Sequence, residues 1–266
     1  MPHSVILGTG SYAPLRVLTN ADLEKTVATN DAWIVGRTGI KQRRIAAADE
    51  ATSDMAAAAA RRALELAGVA PTDIDMIVVG TVTPDTPTPS CAAFVQAKLG
   101  AVNAFAFDVS AACAGSLYGL SIADQFIKSG MVRRALIIGA ETMSRVVDWS
   151  NRETCVLFGD GAGAILLGAS EEPGRGVLAA KLRTDGSMTD ILGIFGGGSR
   201  RPWSPESSEQ RSAESSAPSS LPFWFWRCSC RSPPWSRARC SSTSAAEPAR
   251  HSDPGSRFGF IEGAGG

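Results

Sequence analysis

No apolar run in this sequence reaches 18 residues, so no membrane-spanning helix is expected. An excess of one charge is missing too. The 26 Lys and Arg balance the 26 Asp and Glu, which argues against a nucleic-acid binder relying on a basic surface. A local basic patch for a phosphorylated ligand stays open. The six cysteines, Cys91, Cys113, Cys155, Cys228, Cys230 and Cys240, lack the dense spacing of a secreted disulfide scaffold. Met1 to Leu7 carries no basic segment ahead of a long apolar run, so no secretory leader is expected and the setting expected is a reducing cytoplasm. Histidine is scarce, with His3 and His251 its two occurrences. What remains is an ordinary globular composition, 44% hydrophobic and 20% charged, in a chain of 266 residues that can bury a sizeable core.

One stretch lacks branched aliphatics. Between Ser199 and Arg257 there are 17 Ser, 9 Arg and 8 Pro, a single Leu, and no Val, Ile, Met, Lys, Asn or Tyr. Such a segment has little from which to build a strand or a core. Its one apolar cluster, Leu221 to Trp226, is flanked by Pro and Arg. Three readings fit: a disordered tail, an interaction segment rich in Trp and Arg, or GC-rich coding DNA read in a shifted frame. The third accounts best for the joint excess of Ser, Arg, Pro, Trp and Cys. The expected organisation is therefore 1–172 as a first α/β half, 173–200 as the start of a second, and 201–266 as an aberrant, disordered tail.

Residues 1–198 alternate apolar runs with helical patterns. Strands are expected at 5–8, 76–81, 104–109, 135–140, 162–167 and 177–182. Helices are expected over 20–33 with Asn20 as N-cap, from Ser53 to Leu66 with Gly68 as C-cap, from Ser90 to Leu99, and over 114–129. Strands apolar on both faces imply a sheet covered by helices on each side, an α/β class. Gly159-Asp160-Gly161-Ala162-Gly163 lacks the Lys and the strand-to-helix context of a phosphate-binding loop, and reads as a tight turn entering a strand.

Cys113 stands out. In Asp108-Val109-Ser110-Ala111-Ala112-Cys113-Ala114-Gly115-Ser116 it sits among small residues between a strand and a helix. A helix N-terminus favours the thiolate, and its free N–H groups can face a developing oxyanion. From this local context a nucleophile and a buried core cysteine both remain open. Cys91 reads as a helix-packing residue and Cys155 as a strand residue.

Five segments carry a resemblance: Gly8-Thr9-Gly10-Ser11-Tyr12; Thr19-Asn20-Ala21-Asp22-Leu23-Glu24; Trp33-Ile34-Val35-Gly36-Arg37-Thr38-Gly39-Ile40; Asp108 to Gly115; and Phe158-Gly159-Asp160-Gly161-Ala162-Gly163-Ala164. In order and spacing, residues 1–198 resemble the β-ketoacyl-acyl-carrier-protein synthase III family, and the match stops near residue 200. The resemblance implies the thiolase-like α/β/α/β/α fold, with the first half complete and the second truncated, and assembly as a homodimer. It implies that Cys113 takes an acyl group from acyl-CoA and then condenses it decarboxylatively with malonyl-carrier protein, the step that starts fatty-acid synthesis. Acyl-CoA is a substrate, and neither metal nor cofactor is implied. By resemblance, Trp33 and Arg152 flank the CoA adenine, Arg37 and Thr29 lie near the CoA phosphates and the pantetheine mouth, and Thr88 lines the acyl pocket.

The family's His-Gln-Ala-Asn and Gly-Asn-Thr motifs, which stabilise the enolate formed on decarboxylation, are not in these 266 residues, and no Asn follows Asn151. The chain as written is expected to be impaired in condensation. Two other readings stand beside the first: a polyketide-type acyltransferase of the same fold, and a non-catalytic acyl- or carrier-binding protein.

Overall fold

The computed structural model describes residues 2–172 and 174–200. Strands β1 (His3–Tyr12), β4 (Met76–Gly80), β5 (Phe105–Val109), β6 (Arg134–Thr142) and β7 (Asp160–Ser170) form one sheet. Its order is β1-β7-β6-β4-β5. The three strands β6, β4 and β5 run parallel, while β7 is antiparallel to both of its neighbours. A two-stranded hairpin, β2 (Arg16–Thr19) with β3 (Gln42–Ile45), brackets helices α1 (Asn20–Leu23) and α2 (Asp31–Thr38). The remaining helices are α3 (Thr52–Ala67), α4 (Cys91–Leu99), α5 (Gly115–Lys128) and α6 (Arg152–Cys155).

The α/β class expected from the alternating pattern is what the chain adopts. Met76 to Val79 and Ala135 to Ile138 are almost wholly buried because the sheet is covered on both faces. On one face lie α3 and α4. Ala56, Ala59, Ala60 and Ala63 bring α3 onto the sheet at short range, against Ile77, Val79, Leu136 and Leu166. On the other face lies α5, where Ala123 and Ile127 pack on Met76, Val78, Ile137 and Leu167. A third cluster joins the α1–α2 layer to the α6 segment through Leu23, Ile34, Val147, Cys155 and Val156.

Polar groups tie these layers together. The Asp108 carboxylate at the end of β5 accepts from the first two backbone N–H groups of α4, Cys91 at 2.7 Å and Ala92 at 2.8 Å. An anion at that end of the helix also complements the helix dipole. Asp124 of α5, buried, accepts from Ser4 of β1 and from Lys128.

Several expectations need correction. The single helix expected over 20–33 is two helices separated by a turn, and the N-cap of the first is Thr19, whose hydroxyl accepts from the Asp22 N–H. Asn20 is instead the buried first residue of α1. The third helix starts at Thr52 with Ala51 as N-cap, although Gly68 is its left-handed C-cap as expected. Cys155 ends α6 rather than lying in a strand. The 177–182 segment is not a strand: its one ladder-like bond is Val177 N–H to Ser4 O, 3.1 Å. Short apolar runs satisfy a strand pattern without finding a paired edge, which periodicity cannot foresee. The expectation for 201–266 lies outside the described residues.

The layer carrying Cys113 is set by one close approach. A Cβ placed on Gly80 would come within 2.6 Å of the Gly115 carbonyl carbon and 2.8 Å of the Ser116 nitrogen, both backbone atoms. Gly80→Ala must therefore push α5 off β4. Destabilisation of about 2 kcal/mol is expected, read as a lower urea midpoint at unchanged m-value; an unchanged midpoint contradicts the contact.

Candidate functional site

Two adjacent strands end together here. Gly80 of β4 is in register with Val109 of β5 and with Gly139 of β6, which runs on to Thr142. The segments following β4 and β5 therefore leave the same edge of the sheet, the carboxyl end where ligands of open α/β sheets bind. From β5 comes the turn bearing Cys113, from β4 the loop bearing Thr88, and Glu141 lies near the end of β6.

Cys113 occupies a single 3-10 turn, Ala112–Ala114, directly ahead of α5. The thiol is exposed, so the alternative of a buried core cysteine does not hold. Ala112 has φ +46°, a left-handed conformation uncommon for a residue with a side chain. That strain reverses the chain sharply enough to present residue 113 at the turn. No side chain caps the first turn of α5, and the Gly115 N–H at its start bonds the Ala112 carbonyl. Cys91 and Cys155 are buried, and burial pushes both thiols up, away from the reactive thiolate.

Trp33, Arg37, Thr29 and Arg152 come together elsewhere, where α1–α2 meets α6. Trp33 lies half-buried on α2, whose N-cap Asn30 accepts from the Trp33 N–H at 2.8 Å. Its ring lies 4.3 Å from the Arg37 guanidinium carbon and 5.0 Å from that of Arg152, both cation–π contacts. Arg152 also donates to the Ala28 carbonyl at 2.9 Å, which places it beside Thr29. The Thr29 hydroxyl oxygen is buried with no hydrogen-bond partner, a cost unless a ligand or water completes it. Thr88 is exposed on the loop after β4. Among the described residues no hydrogen bond or ring contact joins the Trp33 group to Cys113.

Sequence reasoning did not single out Glu141. Its carboxylate accepts from the Val82 N–H at 2.9 Å and from the hydroxyls of Thr81, at 3.2 Å, and Thr83. The Thr83 hydroxyl accepts from the Thr142 N–H, and Thr52 binds both Thr83 and Thr142. This network holds the start of the loop that leads to Thr88. A lone carboxylate closing the apolar run Ala135 to Ala140 was the available signal. Burial raises the Glu141 carboxyl above its ordinary 4.5, partly offset by the Thr83, Val82 and Thr81 hydrogen bonds.

A family model described as 3-oxoacyl-[acyl-carrier-protein (ACP)] synthase III matches residues 107–186, a stretch holding both Cys113 and Arg152. The chain is 57% identical over 197 residues to β-ketoacyl-[acyl-carrier-protein] synthase III of Ehrlichia canis, covering 74% of this chain and 62% of that protein. It is 56% identical over 205 residues to the enzyme of the same name from Caldanaerobacter subterraneus, covering 77% and 62%. Over the matched residues the chain is similar to the β-ketoacyl-[acyl-carrier-protein] synthase III family. It spans 62% of the length of these two relatives. Among solved structures it is similar to 3-oxoacyl-[acyl-carrier-protein] synthase III from Aquifex aeolicus, with 49% identity and a TM-score of 0.69 over 72% of this chain and 62% of that one. It is also similar to the priming β-ketosynthase of a polyketide pathway, with 46% identity and a TM-score of 0.63 over 64% and 51%. The fold is the thiolase-like one that the sequence motifs implied. Among the described residues no helix is long and apolar enough to cross a membrane, and no group of His, Cys, Asp and Glu could hold a metal ion.

The Glu141 carboxyl yields a pH test. Because its folded pKa is raised, the native state binds more protons than the unfolded state between 4.5 and that raised value, and the Glu141 contribution to stability falls as pH rises. Glu141→Gln does not titrate. The unfolding free energy of the wild type minus that of Glu141→Gln should therefore decline as pH rises above 4.5; a flat or rising difference contradicts the burial.

Proposed function

We propose that this chain performs the priming step of a β-ketoacyl-acyl-carrier-protein synthase III, with Cys113 as the nucleophile. The observation that carries the reading is the exposed thiol on a strained turn at the uncapped N-terminus of α5. The Cys113 thiolate attacks the carbonyl of an acyl-CoA thioester. The C–S bond to CoA breaks as the new thioester forms, and the departing CoA thiolate takes up the proton that Cys113 released. In this reading the N–H groups of the first α5 turn beyond Gly115 serve as donors to the oxyanion of the tetrahedral intermediate. The acyl group is then held covalently while a second substrate binds.

Trp33 and Arg152 flank the CoA adenine in this reading, Arg37 faces the phosphates, and the unpartnered Thr29 hydroxyl meets the pantetheine arm. Support comes from the cation–π geometry and from the orphaned Thr29 oxygen. A base entering between Trp33 and Arg152 has to move the guanidinium off the ring. Thr88 lines the acyl pocket. We further propose a homodimer, acyl carrier protein as the partner in condensation, no metal or cofactor, a cytoplasmic setting, and the division 1–172, 173–200 and 201–266. The 266 residues hold neither the His-Gln-Ala-Asn nor the Gly-Asn-Thr motif, so acylation is the half-reaction proposed for this chain and condensation is expected to be impaired. Likeness to a priming β-ketosynthase of polyketide synthesis favours one second reading, in which the same acylation serves a different primer.

Incubation with acetyl-CoA followed by peptide mass analysis should show one acetyl group on Cys113, none on Cys91 or Cys155, and labelling abolished in Cys113→Ala. With malonyl-carrier protein added, β-ketoacyl product should not exceed that of Cys113→Ala. Binding of CoA without thioester formation would instead identify a non-catalytic acyl-binding protein.

A further inference from the structure

Arg43 is a guanidinium with 5% of its surface exposed, and no carboxylate among the described residues lies within ion-pair distance of it. Burying a charge on neutral acceptors alone is costly, and no catalytic or binding motif named above includes this residue. Its partners suggest what the charge is kept for. One nitrogen, Nη2, donates both to the Asn20 side-chain oxygen and to the Val156 carbonyl, each at 3.0 Å. Nη1 reaches the Leu18 carbonyl at 3.4 Å, and Nε has no partner.

The two Nη2 acceptors lead to the two sides of the Trp33–Arg152 contact. Asn20 donates from its amide nitrogen to the Asp31 carboxylate and to the Ile40 carbonyl, both at 2.8 Å. Asp31 is the first residue of α2, and Ile40 lies just beyond its C-cap Gly39, so Asn20 holds both ends of the helix that carries Trp33 and Arg37. Val156 is the C-cap of α6, the single turn that begins with Arg152. A shared nitrogen therefore fixes the separation between the α2 anchor and the α6 anchor.

We propose that Arg43 is a positioning residue that sets the gap between Trp33 and Arg152, and thereby the affinity for the adenine end of CoA. This rests on the reading of Trp33 and Arg152 as the adenine site. A planar guanidinium can serve two acceptors in fixed directions, whereas the Lys ammonium is a point charge on a flexible stem and does not reproduce that fork. Charge alone is therefore not sufficient.

The test compares Cys113 acetylation by acetyl-CoA with that by acetyl-pantetheine, which lacks the nucleotide, in the full chain and in Arg43→Lys, Asn20→Ala and the double variant. In the wild type acetyl-CoA should react faster. Arg43→Lys should lower the acetyl-CoA rate constant at subsaturating concentration about tenfold, the scale of one lost cation–π alignment, with the acetyl-pantetheine rate unchanged. Asn20→Ala breaks the same bridge from its other side and decides the matter if Arg43→Lys does not fold. The double variant should be no worse than either single one, because both remove one link. An undiminished preference for acetyl-CoA in either single variant overturns the proposal. So does an equal drop with both thioesters, which would mark Arg43 as structural support for the whole domain. A wild type with no preference for acetyl-CoA would instead remove the adenine site itself, and the proposal with it.

Discussion

The backbone of α5 touches the backbone of β4 at Gly80 and Gly115, with no side chain between them. This contact decides where the α5 N-terminus sits, and so where Cys113 is presented. It needs glycine on both sides. It also needs an apolar sheet surface below, which Val78 and Ile137 supply under Gly119, one turn farther along the helix. With α3 pressing on the opposite face through four alanines, the β4–β6 region is fixed from both sides, and the turn at residue 113 inherits that rigidity. In the proposed reading, a nucleophile held on rigid elements meets its substrate with little reorganisation.

Charge is distributed over the two candidate areas in different ways. Around the Cys113 edge, Asp108 is committed to the first two N–H groups of α4, and Glu141 to the Val82 N–H and the Thr83 hydroxyl. They hold a helix start and a loop. Around Trp33 two cations, Arg37 and Arg152, lie on the ring, and among the described residues Arg43 has no carboxylate within ion-pair distance. A neutral chain can thus carry a local cationic site for a phosphorylated ligand, which a balanced net charge leaves open.

Much of this was legible in the residues. The apolar runs at Met76 and Ala135 became buried central strands because no other element buries a short, fully apolar run so well, and the run at Ala104 became the edge strand beside them. The Ser90 cap and the Gly68 stop worked because their chemistry is local. The Cys113 turn was recognisable from small residues between a strand and a helix. Hidden from view were β2 and β3, four residues each, with Arg in both, whose pairing across 22 intervening residues leaves no periodic trace. Asn20 looked like a helix cap because Asn favours caps. In place it is a buried junction, and Thr19 takes the capping role.

The sequence alone determined the α/β class, the identity of the nucleophile candidate, and the motifs that carry the family resemblance, because each of these is written in neighbouring residues. Tertiary structure alone decided that Cys113 is exposed while Cys91 and Cys155 are buried. It also decided that Trp33 and Arg152, 119 positions apart, share a ring contact, and that Glu141 and Arg43 serve loops and helices distant in sequence. These outcomes depend on which surfaces the packed layers leave open and which carbonyls they bring within reach of a buried donor, and no local pattern encodes that.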